Sequence, residues 1–167
     1  MIDVTIDDQQ VRAALSRLSE RVDDLRPVLS DIGQELVTRI VGTFEREADP
    51  WGKPWQPHAQ STRRARARRA AGGKTGTKRY QRALFGAMRL LQDTGALRSS
   101  IEVQSVSPDQ VTVGSRMAYA AVHQFGGGRS RVPARAFFPV RDGRADLPAS
   151  WAQAIMDIAQ RHLQEAL

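Results

Sequence analysis

From Pro50 to Gln92 the chain carries 11 lysines and arginines and no aspartate or glutamate. This run narrows the possible folds most. Its middle, 63–80, holds too little apolar surface to offset the entropy of ordering, so a core must come from the flanks. Of 25 basic side chains in the chain, 14 lie outside the run, where they face 18 acidic ones. The pattern is a mildly acidic body carrying one strongly basic segment. A length of 167 residues suits a single domain, 1–167, with a basic insertion at 61–80 that is expected to be mobile.

The flanks carry clear periodicities. Ile2, Val4 and Ile6 alternate with polar residues, as a half-buried strand does. Val11, Leu15, Leu18, Val22 and Leu25 then form a helical stripe, with Asp7 or Asp8 placed to cap it. Pro27 breaks that helix and suits the first turn of the next, where Leu29, Ile32, Leu36, Ile40 and Phe44 run on to an end near Ala48. Residues 49–61 hold three prolines and a glycine, so they are irregular, and Trp51 and Trp55 need burial against the body or a partner.

The Ala/Arg-rich stretch from Ser61 to Ala71 predicts a helix started by Ser61 or Thr62, with no evident packing face. After Gly72–Gly76, a second helix is expected from Lys78 to Gln92, with Leu84, Met88 and Leu91 on one side and Thr94-Gly95 as its stop. Residues 99–115 read as a β-hairpin, and Tyr119–Phe125 as a short helix stopped by Gly126 to Gly128. Pro133 to Val140 is extended and offers Phe137 and Phe138 to a core. A last helix starts near Leu147 or Pro148, with Trp151, Ile155, Ile158 and Leu163 on its apolar side. The fold class is therefore α+β: a small antiparallel sheet, made of the N-terminal strand plus the hairpin, packed with several helices including a C-terminal one.

Chemistry-bearing motifs are scarce. The chain has no cysteine, which removes disulfides, thiolate metal sites and cysteine nucleophiles. His58, His123 and His162 stand too far apart for ligand spacing, and no HExxH or Ser-His-acid set can be named. Gly72-Gly73-Lys74-Thr75-Gly76 lacks the first glycine of a phosphate loop, and Gly126-Gly127-Gly128 lacks its lysine. His123 suits packing or hydrogen bonding beside the glycine loop. A nuclease would need clustered carboxylates for metal, and the acids outside the basic run are scattered. The expectation is no catalytic residue, no cofactor and no metal: not an enzyme. No apolar stretch approaches the roughly 20 residues of a membrane span, and no leader pattern opens the chain, so cytoplasmic synthesis without a membrane partner is expected.

The basic run leaves three readings open. Arg63, Arg64, Arg66, Arg68 and Arg69 point in most directions around a helix, and Lys74, Lys78 and Arg79 follow. They form a solvated arm, a contact with an acidic neighbouring protein, or a non-specific contact with DNA. Tyr80 and Phe85 are the nearby aromatics, too few for a base-stacking platform, so any nucleic-acid binding would be phosphate attraction.

Three segments, in order, carry a resemblance. They are Gly52-Lys53-Pro54-Trp55-Gln56-Pro57 with Thr62; Leu91 through Asp93-Thr94-Gly95-Ala96-Leu97-Arg98-Ser99-Ser100 to Ile101; and Val113-Gly114, Tyr119-Ala120, His123-Gln124-Phe125-Gly126 and Val132-Pro133-Ala134-Arg135-Ala136-Phe137. Together they resemble the phage virion morphogenesis family, the tail-completion or neck proteins of Mu-like and related contractile-tailed phages. The resemblance implies a structural subunit in tail completion or head–tail joining. It would form a homo-oligomeric ring, with a hexamer as the implied size, among neighbouring neck and tail proteins of the virion. The basic segment is the part it covers least, and a nucleic-acid-binding module acting through Arg63–Arg69 is the alternative. Trp51, Trp55, Phe125, Arg135 and Phe137 are the expected interface or core anchors, with Arg135 placed in extended chain to pair with a neighbour's carboxylate.

Overall fold

The computed structural model describes residues 2–4, 9, 11, 13, 16, 24–128, 132–141 and 143–165. In the predicted first helix, Gln9, Val11, Ala13 and Ser16 are helical and Val11 is buried in the core. Ile6, the caps Asp7 and Asp8, and Leu15, Leu18 and Val22 lie outside the described residues. Leu25 is not helical but packs at the core's edge.

The architecture is α+β, organised on one long helix. Helix α1 (Arg26–Arg46) has Pro27 in its first turn, where no amide hydrogen is needed. Its stripe of Val28, Leu29, Ile32, Leu36, Ile40 and Phe44 is buried along its length. It ends where Glu47 takes a left-handed conformation at φ 52° and donates its N–H to the Thr43 carbonyl.

Strands β1 (Ile2–Val4), β2 (Ile101–Val106) and β3 (Val111–Ser115) make an antiparallel sheet in the order β1-β3-β2. The predicted hairpin is thus β2–β3, and the N-terminal strand joins on the β3 side, with Ile2 opposite Ser115 and Val4 opposite Val113. The β2–β3 register shifts between Val103 and Ser105, an irregularity of the bulge kind. Helix α1 lies close on this sheet: a Cβ on Gly33 would sit 2.8 Å from Val111 Cγ2 and 2.9 Å from Val103 Cγ2.

The C-terminal helix, which we number α6 (Ala149–Glu165), packs on α1 through buried Trp151, Ile155, Ile158 and Ala159. His162 Nε2 meets Asp31 Oδ2 at 2.8 Å and ties the two helices at their surface. A two-stranded ribbon, β4 (Val140–Arg141) and β5 (Arg144–Ala145), precedes it. The centre of the core is aromatic. Phe44 contacts Trp55 edge-on at 5.4 Å and Phe137 at 5.2 Å, and Phe137 contacts Phe138 at 5.0 Å.

The basic segment departs from its predicted form. Helix α2 (Gln60–Ala70) starts without a side-chain cap from Ser61 or Thr62, and it has a packing point after all, since Ala67 is fully buried. Helix α3 (Lys78–Phe85) is capped by the Thr77 hydroxyl and ends well before Gln92. Gly86 turns to an extended conformation at ψ 166°, where a Cβ would meet the Arg82 carbonyl oxygen at 2.7 Å. Leaving the helix lets Leu90 and Leu91 enter the core, with Leu91 at φ 57°. Thr94-Gly95 therefore does not stop that helix. Gly95, at φ 77°, opens the single-turn α4 (Ala96–Ser99).

Candidate assembly surface

Helix α5 (Ala120–Phe125) is split by its periodicity into two faces. Ala120 and Gln124, one turn apart, are buried. Tyr119, Val122 and Phe125, each three residues on, stand outward with exposures of 43%, 37% and 56%. Gly126 ends the helix at φ 82°, and a Cβ there would lie 3.2 Å from Ala134 N and 3.3 Å from Val132 O, so the returning strand passes close by. That return is fixed by Gly127 N–H donating to Val132 O at 2.9 Å and by Arg135 N–H donating to His123 O at 2.7 Å.

The five expected anchors divide into core and surface. Trp55 is buried and donates Nε1–H to the Ala136 carbonyl at 2.8 Å, so the proline-rich loop folds back onto the body. Phe137 is fully buried. Arg135 is buried and its fork is occupied within the chain. Nε donates to Gln56 O at 2.8 Å and Nη2 to Pro57 O at 3.1 Å. This corrects the expectation of a carboxylate partner from a neighbour: the two carbonyls of the tryptophan loop use the planar fork instead. Trp51 is half-buried beneath the Arg141 guanidinium, 3.8 Å from its ring centre. Phe125 is the one of the five that projects. Tyr119 and Val122, its companions, were missed as site residues, although the three-residue spacing of Tyr119, Val122 and Phe125 is readable in the sequence.

Between α5 and the base of the α2–α3 hairpin lies an open cleft of about 680 Å³, lined in part by His58, Arg66, Asp93, Tyr119, His123 and Arg135. Burial pushes both His58 and His123 below the ordinary histidine range, and nearby arginines act in the same direction. Arg66 Nη1 reaches His58 Nε2 at 3.2 Å and the Arg89 carbonyl at 3.3 Å. The His123 ring stands edge-on to Tyr119 at 5.9 Å. His58 and His123, with Tyr119, Arg66 and Arg135, thus form a seam between α5 and the base of the hairpin. Among the described residues no group of three or more His, Asp or Glu side chains could hold a metal ion. No helix among them is long and apolar enough to cross a membrane.

The basic residues also divide. Arg63 and Arg66, three residues apart on α2, turn inward, while Arg69, three further on, stays exposed but is paired. Arg63 Nη2 donates to Leu84 O at 2.8 Å, Arg66 bonds as above, and Arg69 Nη2 pairs with Asp93 Oδ2 at 2.9 Å. Arg68 donates to Gly73 O at 3.2 Å and closes the turn after α2. Arg64, Lys74, Lys78, Arg79 and Arg82 are exposed, and among the described residues none of them has an ion pair or a side-chain hydrogen bond. Arg82, on the same helix as Lys78 and Arg79, was not among the expected contact residues.

Compared with known proteins, residues 6–164 match the phage virion morphogenesis family. No curated protein and no solved structure matches the chain.

Proposed function

This chain belongs to the phage virion morphogenesis family, so its role is a structural one in building the phage particle; from that premise we propose that it is a tail-completion or head–tail joining subunit. It assembles as a homo-oligomeric ring at the neck or tail end, a hexamer on the family analogy, beside other neck and tail proteins. The observation that carries this reading is the outward face of α5. Tyr119, Val122 and Phe125 expose three of the four large apolar side chains that stand out among the described residues, the fourth being Phe85 on α3. A contiguous apolar face of this kind marks an interaction surface. Contacts between unlike faces, repeated by rotation, close into rings.

The test is the mass of the full chain in solution across a concentration series, with electron microscopy of the same sample. A closed ring with a central opening supports the reading. A protein that stays monomeric at high concentration, both alone and with isolated tail tubes, overturns it.

A further inference from the structure

The hairpin of α2 and α3 carries nine lysines and arginines and no carboxylate between Gln60 and Phe85. Arg68 closes the turn after α2 on the Gly73 carbonyl, and the fold sorts the other eight into two sets. The paired set braces the hairpin against Leu84, Arg89 and Asp93. The outward set of Arg64, Lys74, Lys78, Arg79 and Arg82 has no counter-charge among the described residues.

A second copy of this chain is poorly suited to supply that counter-charge. Among the described side chains, all of the aspartates and glutamates except Glu165 already have an ion-pair or hydrogen-bond partner in their own chain. An apolar protein partner is also poorly matched. Interface cores are depleted in charge and rich in aromatics, and the hairpin exposes these five cations beside one large apolar side chain, Phe85. Lys78 and Arg82 stand one turn apart on α3, a spacing of about 5–6 Å that presents them as a row. Such a row suits a regular polyanion and contacts it without reading bases.

We infer that the outward face of the α2–α3 hairpin binds the phosphate backbone of duplex DNA, without sequence preference, through Arg64, Lys74, Lys78, Arg79 and Arg82. The inference goes beyond the ring reading and does not depend on ring closure, because the face is complete within one protomer. It also moves the DNA contact away from Arg63, Arg66 and Arg69, whose guanidinium groups the chain already uses.

The experiment is fluorescence anisotropy of the full chain with a mixed-sequence duplex of about 30 base pairs, titrated between about 50 and 200 mM salt. Five phosphate contacts give a slope of log affinity against log salt of about −4.5, an affinity loss of about 500-fold over that range. The combined variant Arg64→Gln, Lys78→Gln, Arg79→Gln and Arg82→Gln flattens the slope by about 3.6. A charge-keeping variant with lysine at 64, 79 and 82 retains it, which separates lost charge from lost fold, as does circular dichroism of both. The inference is overturned by absence of salt-dependent binding, by an unchanged slope in the glutamine variant, or by tighter capture of poly-glutamate than of DNA, which would make an acidic protein the partner. Sedimentation of the same variants reports assembly separately, so failure here and failure of the ring reading are told apart.

Discussion

Gln124 and Phe138 exchange two hydrogen bonds: Phe138 N–H donates to Gln124 Oε1 at 2.9 Å, and Gln124 Nε2 donates to Phe138 O at 3.1 Å. The side chain acts as a strand would, pairing with the backbone of an extended segment. The same oxygen accepts Phe137 N–H at 2.9 Å, so one buried carboxamide satisfies two core amides that no regular element pairs. It also fixes the rotation of α5. With Gln124 turned inward, the apolar row at Tyr119, Val122 and Phe125 is turned outward. Core stability and surface display are set by the same residue.

Gln124→Leu therefore leaves two buried N–H groups and one carbonyl without this partner. Each orphaned group costs about 1–3 kcal/mol, so a loss of about 3–5 kcal/mol is expected, measured by urea unfolding. A change below about 1 kcal/mol would mean that water or relaxation replaces the carboxamide.

The sequence made the periodic elements legible. The stripe from Leu29 to Phe44, the hairpin at Val103 and Val113, and the apolar side of α6 from Trp151 to Ile158 each repeat one spacing over several turns or alternations. It failed where a residue's role depends on distant chain. Leu84, Met88 and Leu91 sit at helical spacing, yet Gly86 ends the helix and Leu91 reaches the core from an irregular segment. Arg135 is predicted as a fork in search of a partner, but its partners are carbonyls at Gln56 and Pro57, far away in sequence. Gln124 gave no signal at all, since a buried glutamine is specified only by the backbone it meets. The division of the arginines into braces and free cations likewise needed the positions of Leu84, Arg89 and Asp93.

Gly33 sets how closely α1 approaches the sheet. Alanine at an interior helix position normally gains about 0.8–1.0 kcal/mol over glycine. Here its Cβ would lie within 3 Å of both Val103 Cγ2 and Val111 Cγ2, and both valines are stiff at χ1. Overpacking costs about 1–3 kcal/mol, so Gly33→Ala is expected to lower stability by up to about 2 kcal/mol. Thermal unfolding with the midpoint raised would show that α1 lifts from the sheet without penalty.

Phe125 separates assembly from folding. More than half of its surface is exposed in the protomer, so Phe125→Asp together with Val122→Asp should change unfolding stability by no more than about 0.5–1 kcal/mol. On the ring reading the same change buries two carboxylates in an apolar contact, and the assembled mass should fall to that of the monomer. The contrast Trp55→Ala should act oppositely. It removes a buried ring and its bond to Ala136 and costs about 3–5 kcal/mol in the monomer itself. Sedimentation and denaturant unfolding on the same samples read both effects. Assembly that survives the double aspartate variant would remove α5 from the interface.

Acid should loosen the seam between α5 and the base of the hairpin. His58 and His123 both titrate below the ordinary value of 6.5 in the folded chain: His58 chiefly through burial and then through Arg66 and Arg135, against a bond with the Arg89 carbonyl that raises it, and His123 through burial and then Arg135. The unfolded chain therefore takes up these protons first as pH falls. Stability contributed by the neutral rings is complete above about 6.5 and is lost as pH falls through the depressed folded values. Protonated rings would add charge beside Arg66 and Arg135, and the Arg66 guanidinium would face a second cation where it now meets a ring nitrogen. The thermal midpoint should be a few degrees lower near pH 5.5 than near pH 7.5, a window above most carboxylate titration. Replacing both histidines, His58→Gln and His123→Asn, should flatten that dependence while leaving the pair of His162 with Asp31 in place. An equal acid-side fall in the double variant would assign the effect to other groups.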